Sequence, residues 1–200
     1  MTAGAEPLVV WINGAFGVGK TTVAAELVRE LPNAIVFDPE ELGVVLRAVV
    51  PATEQTDDFQ DIPAWRATTL AAVVSLARSR AGAVVVPMTL VDDRYFDEIV
   101  GGVRRAGVGL VHVALVAPRD VIEARLRARS GMDQAADPGE ERPGTQRSGT
   151  EHWGIDRIDA CVASLGRPEF AHHLDATTEA PAVLARELRA LVAAYADGTS

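Results

Sequence analysis

The stretch Leu8–Thr22, LVVWINGAFGVGKTT, joins an apolar run to a glycine-rich turn and the start of a helix, and its reading decides the fold. From Gly14 to Thr21 it fits the pattern GxxxxGK[ST]. In that pattern glycines let backbone N–H groups turn inward around phosphate oxygens, a lysine reaches the outer phosphates, and the next hydroxyl holds magnesium. The helix opening at Gly19 adds unpaired N–H groups and the positive end of its dipole at the same point. Gly14, Gly17 and Gly19 therefore shape the loop, Lys20 binds the phosphates, and Thr21 ligates Mg²⁺. Ala15, Phe16, Val18 and Thr22 belong to the same nucleotide-binding set. An ordinary strand-turn-helix corner needs one glycine, so three in register with a lysine and a threonine point to a bound nucleotide.

Two hundred residues, 48% of them hydrophobic, suffice for one α/β domain with a real core, and no second domain is expected. A formal net charge of −9 argues against a broad surface for nucleic acid or anionic membrane, since either needs a basic field. The basic residues are therefore expected where phosphate binds. Cys161 is the single cysteine, so it has no internal disulfide partner, and it sits in IDACVASL as a small apolar helix residue. MTAGAEP has neither a basic flank nor an apolar core, and no run nears the roughly 18 apolar residues of a membrane span. A cytoplasmic protein without an integral membrane segment is the expectation.

Leu8–Asn13 reads as the first strand, and Lys20–Leu31 as a helix with Val23, Leu27 and Leu31 on one face. A short second strand, Ala34–Phe37, runs into Asp38-Pro39-Glu40-Glu41. Here an aspartate N-cap, a proline at the first helical position and a glutamate at the third start a helix to about Val50. Pro51–Pro63, PATEQTDDFQDIP, is acidic, proline-bounded and aperiodic, and reads as a surface loop long enough to be functional. Trp65–Arg80 is helical, and Ala83–Met88 is an apolar strand of the kind buried on both faces of a parallel sheet. Asp92 caps a helix whose end Gly101, Gly102 and Gly107 loosen. Gly109–Ala117 is the fourth strand and Pro118–Ser130 a helix. Gly131–Thr150 is too polar to pack as core and reads as a mobile segment. Trp153–Leu165 is helical, His172–Leu174 is a last strand, and Thr178 caps the helix Glu179–Ala196. Strands alternating with helices imply a mostly parallel sheet with helices on both faces. Ligands collect at the carboxyl ends of such strands, so the phosphate loop, Asp38, Thr89 and the turn after Leu174 are expected in one cleft.

The groups at strand ends then decide between transfer and hydrolysis. Asp38, ending strand two beside the phosphate-loop strand, is placed to accept the proton of a substrate hydroxyl as its oxygen attacks the γ-phosphate. Capping alone also explains Asp38, and a carboxylate with two oxygens can do both. Glu41 reads as the capping-box partner. Arg125 and Arg129 share a helix face before the polar segment, where they would clamp the nucleotide and neutralise the transferring phosphoryl. Thr89 would position the acceptor or a magnesium-bound water. Around the long loop Arg47, Gln60, Trp65 and Arg66 suit a polar acceptor carrying a ring, while Trp65 fits a core anchor equally well. Asp92 and Asp93 read as caps, and His112 as a core residue.

WINGAFGVGKTT, FDPEELGVVLR, DDFQDIPAWR, VVVPMTLVDDRYFDEIV and IDRIDACVASL, in this order between Val10 and Leu174, resemble the tunicamycin-resistance family of P-loop proteins. More remotely the design is similar to shikimate, gluconate and nucleoside-monophosphate kinases and to chloramphenicol phosphotransferase. The resemblance implies a five-stranded parallel sheet of order 2-3-1-4-5, ATP with Mg²⁺, and protection against tunicamycin or a similar nucleoside antibiotic. It gives Asp38 the substrate aspartate's part, Arg125 the adenine side and Arg129 the phosphate side. Gly131–Thr150 becomes a closing lid in which Arg142 and Arg147 stay unassigned. Three activities compete: an O-phosphotransferase acting on the drug, an ATP-gated protein that sequesters it, and a metabolic sugar or nucleotide kinase.

Overall fold

β1 (Leu8–Gly14) is buried along almost its whole length, as a strand must be when both faces of its sheet are covered. Val10 and Ile12 point into one layer of core, and Val9 and Trp11 into the other. The structure, a computed structural model, describes residues 6–51, 53, 56–134, 157–170 and 172–198. β3 (Val84–Pro87) and β4 (Gly109–Val116) flank β1 in parallel, with Trp11 opposite Val86 on one side and His112 on the other. The short β2 (Ile35–Val36) lies outside β3, and β5 (His173–Asp175) lies outside β4. The resulting order, β2-β3-β1-β4-β5, is the one the family resemblance implies.

One expectation about this sheet needs correcting. Asp38 follows β2, and β2 is not the neighbour of the phosphate-loop strand; β3 stands between them. Thr89, just past the end of β3, is therefore the residue set directly against the loop, and Asp38 approaches from one strand further out.

α1 (Lys20–Glu30), α6 (Arg119–Gln134), α7 (Ile158–Leu165) and α8 (Pro181–Ala196) cover the Val10–Ile12 face. α3 (Pro63–Ser79) covers the other, together with α4 (Asp93–Phe96) and α5 (Gly102–Arg105), which a wide turn of π type at Asp97–Gly101 joins into one helix. α2 (Pro39–Val49) packs its Leu42 and Leu46 against this second layer. Gly101 and Gly102 do not loosen a helix end; they are buried within it, and a Cβ on Gly102 would meet Leu70 Cδ2 at 2.7 Å. Close packing against Leu70 explains Gly102. Thr178 is not the cap of α8, which starts at Pro181 with Ala180 before it; proline at the first helical position sets that boundary. α6 runs on to Gln134, so the first four residues of the expected lid are helical, while 135–150, with Arg142 and Arg147, lie outside the described residues. Trp153 and Ile155 lie outside them too. Among the described residues no helix is long and apolar enough to cross a membrane.

His112 on β4 is 6% exposed and packs between the rings of Phe96 and Phe170, with centroids at 5.0 and 5.6 Å. Burial pushes its imidazole down to about 4, and Arg104, His172 and His173 add to the effect. The folded state thus keeps His112 neutral where the unfolded chain already takes up a proton. Stability is lost as pH falls from the ordinary histidine value of 6.5 toward 4, by about 3 kcal/mol if the whole shift is expressed. His112→Phe is expected to remove that share of the acid slope, as read from urea unfolding across the same pH window.

Candidate functional site

The end of β1 is locked before the loop begins. The buried Asn13 donates to Leu90 O (2.7 Å), and its Oδ1 accepts from Leu90 N (3.0 Å) and Gly14 N (2.9 Å). Nothing in the sequence marks Asn13, because its partner lies 77 residues away. Gly17 has φ +80 and lies so close to α6 that a Cβ would meet Leu126 at 2.7 Å. Gly19 has φ +112 and precedes α1 with no side-chain cap, so the first-turn N–H groups face the loop's concavity without a side-chain acceptor. That is the donor set a phosphate requires.

Lys20 crosses beneath this loop and is only 7% exposed. Its ammonium donates to Gly14 O (3.0 Å), Ala15 O (3.1 Å) and Thr89 Oγ1 (2.7 Å), and the Thr89 hydroxyl in turn donates to Gly14 O (2.7 Å). Burial pushes the ammonium down to about 8, Glu40, Cys161 and Asp38 draw it back up, and Arg129 lowers it further. Thr89 therefore serves the loop, with its hydroxyl taken by Gly14 and Lys20, and is not turned toward an acceptor. Thr21 and Thr22 stand exposed in the first turn of α1.

Beside the loop a cleft of about 290 Å³ lies between Gly17–Gly19, Arg125 and Arg129 of α6, and the turn after β5. Arg125 donates to Val18 O (3.2 Å), Ala176 O (2.8 Å) and Thr177 O (3.2 Å), tying that turn to the loop. Its guanidinium is thus a strut along the cleft wall. Arg129, one turn further on, is exposed and lines the same cleft. Glu179 also lines it, a residue that helix-pattern reading absorbs into α8.

On the far side of Lys20 the surroundings become acidic. Asp38 caps α2, its Oδ1 accepting from Glu40 N (2.9 Å). Glu41 is exposed. The functional surprise is Glu40: burial raises its carboxyl, Lys20 draws it down, Asp38 raises it, Arg129 lowers it, and Asp58 raises it again. Those four charges lie within electrostatic reach of it. The segment 56–61 is tied down by side-chain bonds, not a loose surface loop. Asp58 is buried, its Oδ1 capping Gln60 N (2.9 Å) and its Oδ2 accepting from Arg157 Nη1 (2.6 Å). Gln60 Nε2 donates to Thr89 O (3.0 Å), Arg47 donates to Asp57 O (2.7 Å), and Arg66 to Gln60 O and Glu98. Trp65, open between a ring for the acceptor and a core anchor, is the anchor: it is fully buried against Phe59 and donates to Pro39 O (2.9 Å). It anchors the first turn of α2.

The ionisation of Lys20 sets an expectation for nucleotide affinity. Phosphate favours the charged ammonium, and the free protein loses that charge as pH rises through about 8. The Kd for ADP, measured by calorimetry, is expected to be level below pH 8 and to weaken above it, approaching tenfold per pH unit. Lys20→Ala is expected to bind weakly with no such dependence.

Comparison with solved structures places this geometry among related proteins. The tunicamycin resistance protein of Deinococcus radiodurans is similar over 92% of this chain and 95% of its own, with 26% identity and a TM-score of 0.71. This matches the resemblance read from the sequence. A gluconokinase from Sinorhizobium meliloti 1021 is similar over 97% of this chain and 96% of its own, at 18% identity and a TM-score of 0.62. The APS kinase CysC of Mycobacterium tuberculosis, solved in complex with AMPPNP and APS, is similar over 94% and 99%, at 18% identity and a TM-score of 0.54. The last two share the fold. No curated protein sequence matches the chain. The family model described as an AAA domain matches residues 9–152, from β1 through α6, and the chain belongs to that family.

Proposed function

We propose that the protein is an ATP-dependent phosphotransferase acting on a hydroxyl of a small molecule, and that this molecule is tunicamycin or a similar nucleoside antibiotic. The observation that carries the reading is the phosphate loop with the ammonium of Lys20 held under it by Gly14 O, Ala15 O and Thr89 Oγ1, beside a cleft lined by Arg129, together with the Asp38 carboxylate at the start of α2 within electrostatic reach of Lys20. A hydrolase needs only the first half of that arrangement. The likeness to a tunicamycin resistance protein supports the choice of drug.

In this mechanism ATP lies along the loop with its phosphates on Lys20 and on the N–H groups that open α1. Thr21, exposed next to Lys20, would hold Mg²⁺ through its hydroxyl, and the ion would supply neutralisation of phosphate charge. The acceptor oxygen attacks the γ-phosphorus, the bond to the β-phosphate oxygen breaks, and ADP leaves. Asp38 takes the hydroxyl proton on the oxygen that the helix cap leaves over. Lys20 and Arg129 hold the charge that spreads over the transferring group.

Mass spectrometry of tunicamycin after incubation with protein, ATP and Mg²⁺ tests this. A phosphate-sized gain with the native chain and none with Lys20→Ala is expected. A drug that binds only with ATP yet keeps its mass would instead establish sequestration. An unmodified, unbound drug beside active ATP turnover on a sugar or nucleotide would establish a metabolic kinase. Asp38→Asn retains an amide oxygen able to cap α2, so ATP affinity should stay within about twofold while turnover falls a hundredfold or more. Loss of ATP binding in that variant would reduce Asp38 to a cap.

A further inference from the structure

We infer that the protein has a second ligand site, a cavity beside the start of the phosphate loop that takes a small, uncharged aromatic molecule carrying one hydrogen-bonding group. The site is separate from the nucleotide cleft and stands whether or not the protein transfers phosphate.

The cavity, of about 230 Å³, lies between Ala15 of the loop, the end of β4, Ile122 on α6, Val162 and Leu165 on α7, and the two residues Gly166 and His173. None of the residues that line it lines the nucleotide cleft. Ala15, Ile122 and Leu165 are no more than 2% exposed and belong to the core layer behind them, so these walls are held apart. Protein interiors keep few voids larger than a water molecule, and a space of this size at the edge of the core is unusual. Gly166 is an independent sign that the space is kept. It ends α7 in the ordinary right-handed helical region, at φ −76, and a Cβ there would come no nearer than 3.5 Å to another part of the chain, at Val162 O. Neither backbone nor close packing calls for glycine, which loses more freedom on folding than any other residue. What its missing side chain leaves is room beside the cavity.

The lining decides the ligand. Every residue around the cavity except His173 has a hydrocarbon side chain or none, so a charged group would enter without a partner. An apolar cavity of roughly 150 Å³ holds benzene. About 230 Å³ therefore admits a substituted or fused ring and falls short of a drug-sized molecule. A flexible chain of the same volume would lose more rotamer freedom on entry than a rigid ring. His173, on the edge strand β5, is exposed, and its imidazole offers a ring nitrogen to a single polar group where the cavity meets solvent.

The test is a titration of the full chain with indole, followed by NMR of the side-chain methyl groups. Those of Ile122, Val162 and Leu165 are expected to shift together, with a Kd in the low millimolar range or tighter, and saturating ADP to leave that Kd within twofold. Gly166→Met and Val162→Phe, each shown to be folded by an unchanged Kd for ADP, are expected to weaken indole tenfold or more, and His173→Ala threefold. Indole that moves none of these methyls at millimolar concentration overturns the inference. So does indole displaced by ADP, which would place it in the nucleotide cleft, or indole held equally well by the folded Gly166→Met and Val162→Phe variants. Tighter binding of n-hexanol than of indole would overturn the choice of a ring, and tighter binding of indole-3-acetate the choice of an uncharged ligand.

Discussion

The buried ammonium of Lys20 is the constraint on which the rest of this structure depends. Taking such a charge out of water is costly, and here two loop carbonyls and the Thr89 hydroxyl offset that cost. Each of those acceptors must be held in turn. Asn13 locks Gly14 and Leu90 together, Gln60 fixes the carbonyl of Thr89, and Asp58 holds Gln60. A series of short hydrogen bonds thus runs from the phosphate loop to Arg157, across the sheet end where ligand and protein meet. The arrangement prepares a positive charge with little water around it, which is where an electrostatic interaction with phosphate is strongest.

The two sides of Lys20 are built by different means. On the side of the phosphate loop the backbone depends on φ angles at Gly17 and Gly19 and on close approach to α6. On the other side, side chains from α2, α3 and the residue before α7 hold the segment 56–61. A helix cap does double service there, since the Asp38 bond that starts α2 also sets the direction in which Glu40 leaves the first turn.

Much of this was legible before any coordinates. The phosphate loop is a local pattern whose spacing carries its own geometry, and the caps at Asp38 and Asp92 are local chemistry, so both could be read directly. The sheet order came with the family resemblance; alternation of strands and helices alone does not rank the strands, and Asp38 was accordingly placed one strand too near the loop. Trp65 could not be assigned because an aromatic at a helix start suits a core and a ring-binding pocket equally. Glu40 was hidden inside a helix-start motif that gave parts to Asp38, Pro39 and Glu41 and none to Glu40. Arg157 was hidden by distance, its partner lying 99 residues away. Gly102 misled for a related reason: the cause of a buried glycine is the residue it touches, and Leu70 is on another helix.

The phosphate loop lies on the first strand, yet its supports arrive late in the chain: Thr89 and Leu90 after β3, Leu126 on α6, and Ala176 after β5. A ribosome that has delivered the whole motif has therefore delivered none of its supports. Nucleotide capture belongs to the finished polypeptide, and a nascent chain exposing residues 8–22 has an unpaired apolar strand that must wait for β3 and β4. Translation thus brings in the recognisable part of the site first and the working site last.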